Sequence, residues 1–143
     1  MSVLWGAMVT LLSLLAWVGQ ALSWLAPATA VRLGLMEAED DVEPTFWADM
    51  RGEAVWDTLT LWTMVVAGAL LIADRPAWPL FGLVGGGMYL YFGGRGILAR
   101  AAMRRQGLRI GSPRNVQLGF VFSAIWATMA IITMIAAVLS IEI

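Results

Sequence analysis

Three acidic residues, Asp49, Glu53 and Asp57, recur at every fourth position, leading into and just inside an apolar run. On a helix this spacing stacks them on one stripe, which Thr60 continues about one turn later. Carboxylates placed this way suit an acid-base pair, a metal ion held by Glu53 and Asp57, or an ion or proton site inside a membrane. Arg95 lies near the end of a later apolar run, at nearly the depth of Asp57. An unpaired charge there is costly, so Arg95 is expected to pair with Asp57 or Glu53 across a helical hairpin. Gln20 is the remaining polar candidate. Helical spacing puts it on a stripe with Ser13, Trp17 and Trp24 that is expected to face the other helices, with a ligand-facing role for Gln20 as the alternative.

The residue inventory narrows this chemistry. The chain has no cysteine, no histidine and no lysine. Disulfides, thiolate nucleophiles, iron-sulfur clusters and thiolate zinc sites are therefore excluded. So are histidine ligation of haem, copper or zinc, a histidine general base, and Schiff-base chemistry. No cofactor, metal site or catalytic residue is expected.

The elements that must position these residues follow from hydropathy. Of 143 residues, 60% are hydrophobic and 13% charged, where a soluble domain carries about 25% charged residues. A helix crosses hydrocarbon with about 20 mostly apolar residues. The sequence offers four such runs, at about 4–26, 53–73, 78–98 and 116–141. The expected fold is therefore all-α: one polytopic membrane domain forming a four-transmembrane-helix bundle. An acidic loop is expected at 31–52 and an Arg-rich loop at 99–115. The acidic cluster Glu37, Glu39, Asp40, Asp41 and Glu43 lacks the spacing of a calcium loop and reads as solvated, although the chain can turn helical from Thr45. Asp74 to Ala77 is so short a turn that the second and third runs must form an antiparallel hairpin.

The third run is rich in glycine, and Gly82, Gly86 and Gly93 share one face. Small residues let helix backbones approach closely in lipid, so this face is expected to pack against another helix. Beyond it, Arg100, Arg104, Arg105 and Arg109 form a basic helical extension that reads as a topology signal and a contact for lipid headgroups or a partner. A net charge of -1 argues against a nucleic-acid partner. Arg32, Arg51, Arg100, Arg104, Arg105, Arg109 and Arg114 fall on one side of the membrane and Arg75 on the other. The positive-inside rule then places both termini away from the cytoplasm.

Leu25-Ala26-Pro27 followed by Arg32-Leu33-Gly34-Leu35, with Asp49-Met50-Arg51-Gly52 opening a second helix, resembles the small DoxX-like four-helix bacterial membrane proteins of largely unassigned function. The resemblance implies a multi-pass protein of the bacterial cytoplasmic (inner) membrane, either accessory to membrane oxidoreductases or without an assigned role. It carries over no site residue. Two functions are weighed. One is a non-catalytic accessory or assembly subunit, whose partners are the bilayer and another membrane protein or further copies of this chain. The other is a small proton- or ion-coupled transporter or channel using Glu53, Asp57 and Arg95. Catalysis is the least expected.

Overall fold

A computed structural model describes residues 2–141; the chain is 83% helix, with no strand among the described residues. The helices are α1 (Ser2–Leu25), α2 (Pro27–Arg32), α3 (Pro44–Thr60), α4 (Trp62–Ile72), α5 (Trp78–Arg105) and α6 (Pro113–Ser140), with a 3-10 turn at Glu39–Asp41. Three stretches, Val3–Leu25, Pro44–Ile72 and Pro113–Ser140, are long and apolar enough to cross a membrane. The chain is in this sense a membrane protein. α5 matches the 28 residues of α6, but its glycines and arginines make it less apolar, and it is not one of the three.

The helix ends follow local chemistry, and they correct the expected boundaries. α1 stops at Leu25 because Ala26 precedes a proline, which disfavours helical backbone; Ala26 sits at φ -141°, ψ 62°. The helix carrying the span expected from residue 53 begins at Pro44, one residue before Thr45, where the sequence allows the chain to turn helical, so residues 44–52 are helix and not loop. Pro44 occupies the first helical turn, where its missing N–H costs nothing, and Glu43 before it is extended. Hydropathy had excluded this turn only because it is charged, and charge does not oppose helix formation. The basic helical extension expected over Arg100, Arg104, Arg105 and Arg109, within the segment labelled an Arg-rich loop, is helical only as far as Arg105. It ends there in a Schellman motif: Gly107 takes φ 75°, its N–H donates to Arg104 O, and the N–H of Leu108 donates to Met103 O at 3.1 Å. α6 then starts at Pro113 rather than 116, with the Ser112 hydroxyl accepting from the Asn115 N–H.

α3 and α4 are nearly one helix, interrupted only at Leu61. The long helices pack in a row: α1 on α3 and α4, α4 on α5, and α5 on α6, while α1 and α6 barely touch. The main core joins Val9, Ala16, Leu61, Met64, Tyr89, Phe92 and Met129. Close approach depends on glycine. A Cβ at Gly85 would stand 2.6 Å from Met64 N, one at Gly68 would stand 2.8 Å from Thr10 N, and one at Gly93 would stand 2.6 Å from Ser123 O. Gly82 and Gly86 lie against Ala137 and Met134, so the face Gly82, Gly86, Gly93 meets α6 throughout. Side chains also tie helix to helix. Trp17 Nε1 donates to Thr58 O at 2.8 Å, Tyr89 OH to Ser13 O at 2.6 Å and Trp126 Nε1 to Leu12 O at 3.0 Å. Such bonds between membrane helices are worth about 0.6 kcal/mol on average, so they fix orientation more than they supply stability.

Candidate functional site

Antiparallel packing brings the C-terminal end of α1, the N-terminal end of α3, the C-terminal end of α5 and the N-terminal end of α6 to one end of the bundle. That end collects most of the polar residues singled out from sequence. Asp49 and Glu53 are one turn apart on α3, and Arg95 on α5 bridges both: Nη2 to Asp49 Oδ1 at 2.5 Å and Nη1 to Glu53 Oε1 at 2.9 Å. A planar guanidinium suits two acceptors at once. The side chains are 29% exposed at Arg95, 26% at Asp49 and 14% at Glu53, so the triad is screened from solvent only in part.

Arg95 thus takes Glu53, one of its two expected partners, and not Asp57. Its second partner is Asp49, which sequence reading had placed outside the membrane. The reason is helical phase and depth: the arginine side chain reaches toward the polar end of the bundle, one and two turns above Asp57. Asp57 lies deeper, 2% exposed, with Oδ2 buried and lacking any hydrogen-bond partner. Among the described residues no three carboxylates are grouped to hold a metal ion.

Beside the triad is a cavity of about 300 Å³. Gln20 lines it, together with Glu53, Arg100, Glu37 and Asn115, and its apolar wall includes Phe46, Phe92, Phe122 and Trp126. The Arg100 guanidinium is 5.9 Å from the centroid of the Phe46 ring and donates to Gly96 O at 3.0 Å. Glycine makes room for it, since a Cβ at Gly119 would stand 3.1 Å from Arg100 Nε. Among the described residues no carboxylate lies within ion-pair distance of Arg100. Glu37 is in a comparable position: its Oε1 is buried without a donor, packed against Gly111. The dimensions and the mixture of aromatic walls with a few convergent polar groups are those of a small-ligand site.

The other arginines lie elsewhere. Arg104 is exposed over the Phe120 ring at 5.5 Å, and Arg105 is exposed. Arg109 reaches Glu43 at 3.4 Å, while its backbone carbonyl accepts from the Glu43 N–H at 2.8 Å. Beneath this contact Val42, Phe46, Ile110 and Val116 form a second apolar cluster. The acidic segment and the Arg-rich segment are thereby stitched together over the end of the bundle. Arg51 also acts locally, donating to the terminal carbonyls of α1 at Ser23 and, at 3.1 Å, Trp24; these carbonyls have no partner within their own helix.

Sequence reading missed Glu37, Asn115 and Phe46 as cavity residues, and Asp49 as an ion-pair partner. The i, i+4 relation of Asp49 to Glu53 was the available signal for the last; the others come from separate segments that share no motif. Compared with family models, with curated proteins and with solved structures, the chain matches none.

Proposed function

We propose that the chain is a four-span protein of the bacterial cytoplasmic membrane acting as a non-catalytic accessory or assembly subunit of a larger membrane complex. α5 is read as the fourth span because its outward face carries Leu80, Val84, Tyr91 and Leu98, all more than half exposed. Soluble proteins rarely leave such surface to water. The arginines then place both termini away from the cytoplasm. Reporter fusions within the 26–43 and 106–112 connections should give cytoplasmic signals; a periplasmic signal from either reverses the orientation.

The observation that carries the accessory reading is where the polar interior stops. The cavity is bounded on its deep side by Phe92 and Trp126, and beyond them the core of Val9, Met64, Tyr89 and Met129 is closely packed. A transporter places its site near the midplane between moving halves. Here the charges apart from Asp57 are gathered at one end, and Arg95 pairs with both Asp49 and Glu53. The abundant features are those of association: an apolar perimeter, and exposed Asp40, Asp41, Arg104, Arg105 and Arg114 on one end. Such charges steer a partner and set register. Gentle extraction from the native membrane followed by native mass spectrometry should recover a second protein at fixed stoichiometry, and Arg104→Glu with Arg105→Glu should lower that recovery about tenfold.

One observation favours the second reading, a small proton- or ion-coupled transporter using Glu53, Asp57 and Arg95. Asp57 is a buried carboxyl inside a membrane-length helix with an oxygen left unpartnered, and intramembrane ionisable groups commonly mark ion paths. If the chain alone in liposomes moves an ion at a rate abolished by Asp57→Asn, the accessory reading falls and transport replaces it.

A further inference from the structure

The cavity lies between α1 and α6, two helices that barely touch. Trp126 ties α6 to α1 at Leu12, and the cavity fills the space between the two helices from there toward the polar end. Leu15 and Leu118, which line it from either side, are 48% and 42% exposed. Both lie on helices apolar and long enough to cross a membrane, so the opening faces hydrocarbon rather than water alone. A volume of about 300 Å³ is at the small end for ligand sites. It accommodates a headgroup with the first atoms of its chains, while the tails stay outside between neighbouring lipids.

The polar walls hold two groups of opposite charge that make no ion pair at contact distance among the described residues. Arg100 has five N–H donors, has given one to Gly96 O, and has no carboxylate within ion-pair distance among the described residues. The Glu37 carboxylate has no ion-pair partner among them either, and one of its oxygens is buried without a donor. Native proteins leave few such groups unsatisfied. The other cavity carboxylate, Glu53, is engaged by Arg95. A simple anion would satisfy Arg100 but would face Glu37 and Glu53, and a simple cation would face Arg100. A zwitterion carrying both a phosphate and an ammonium N–H answers both walls at once. A choline group has no N–H to donate, and a glycerol group brings no positive charge.

We propose that this cavity binds an aminophospholipid taken laterally from the bilayer through the gap between α1 and α6, with its phosphate on Arg100 and its ammonium on Glu37. The proposal holds for either role considered above, because it concerns what occupies the cavity and not what the complex does.

Native mass spectrometry of the full-length, delipidated protein in a neutral detergent tests it, with phosphatidylethanolamine, phosphatidylglycerol and phosphatidylcholine of matched chains offered together. Retention of phosphatidylethanolamine should exceed each of the others by about tenfold, the value of one charge-assisted hydrogen bond. Arg100→Gln should reduce retention of all three lipids. Glu37→Gln should keep binding but abolish the preference for ethanolamine over choline. Arg32→Gln, at an exposed arginine outside the cavity, should change neither. Because Arg100→Gln can disturb folding, Leu118→Trp provides an independent block at the mouth and should lower retention to a similar degree. Free phosphoethanolamine should not compete at equal concentration. Equal retention of all three lipids overturns the proposal, as does selectivity unchanged by Glu37→Gln. An Arg32→Gln effect as large as that of Arg100→Gln would reduce the binding to surface charge, and effective competition by phosphoethanolamine would make the ligand water-borne.

Discussion

Gly85→Ala is expected to lower the stability of the detergent-solubilised protein by about 2–3 kcal/mol, while Gly87→Ala, two positions on, raises it by about 0.5–1 kcal/mol. The same chemical change has opposite signs because the surroundings differ. At Gly85 the new Cβ would stand 2.6 Å from Met64 N and 2.7 Å from Met64 Cα. These are backbone atoms of a helix buried in the main core, so they yield only if α4 and α5 move apart. At Gly87 there is nothing within 4 Å, and alanine's better helix propensity acts unopposed. Gly93 should behave like Gly85, since its neighbours are Ser123 O and Ala127 N. Gly86→Ala should be milder, because the atoms it meets belong to the flexible Met134 side chain. Thermal melts of the variants in one detergent decide the matter. Shifts of equal sign at positions 85 and 87 would remove close packing as the reason for the glycines.

Arg95→Gln should cost about 2–3 kcal/mol, below the 3–5 kcal/mol of a fully buried pair because the triad is partly solvated. The loss arises less from the vanished attraction than from what stays behind: Asp49 and Glu53, two like charges one turn apart and only 26% and 14% exposed. Neutralising them should therefore repair the damage. The triple variant Asp49→Asn, Glu53→Gln, Arg95→Gln should recover most of the lost stability, since no uncompensated charge remains. A triple variant no more stable than Arg95→Gln alone would mean that the arginine contributes by packing and not by charge.

The glycine face of α5 was readable in sequence because its members repeat with helical period, and period survives any tertiary arrangement. Gly6 and Gly68, where a Cβ on either would stand within 3.0 Å of the other's carbonyl oxygen, were not, being single glycines on different helices whose meeting is visible only when α1 and α4 cross. The Arg95 to Glu53 pairing was readable from depth, since both lie near the same end of the adjacent apolar runs 53–73 and 78–98. Asp49 is legible on the same helical stripe, but its pairing is not, because hydropathy leaves it outside the span and depth alone points Arg95 inward to Asp57 rather than outward to Asp49. The cavity was the least readable feature. Gln20 was noticed for its stripe, but Glu37, Phe46, Arg100 and Asn115 are scattered along the chain and become neighbours only when α1, α3, α5 and α6 share an end.

Arg95 follows Asp49 by 46 positions in the chain, which at about 5–20 residues per second is roughly 2–9 s of synthesis. For that interval the nascent Pro44–Ile72 helix carries Asp49, Glu53 and Asp57 without the guanidinium that later pairs with two of them. In a bilayer such a helix has two ways to wait: with its carboxyls protonated, or with its charged half held at the water interface. Either state ends when α5 is made and its arginine arrives. On the four-span reading proposed above, the two helices form one insertion unit, and the synthesis of α5 sets when the charged helix takes up its depth.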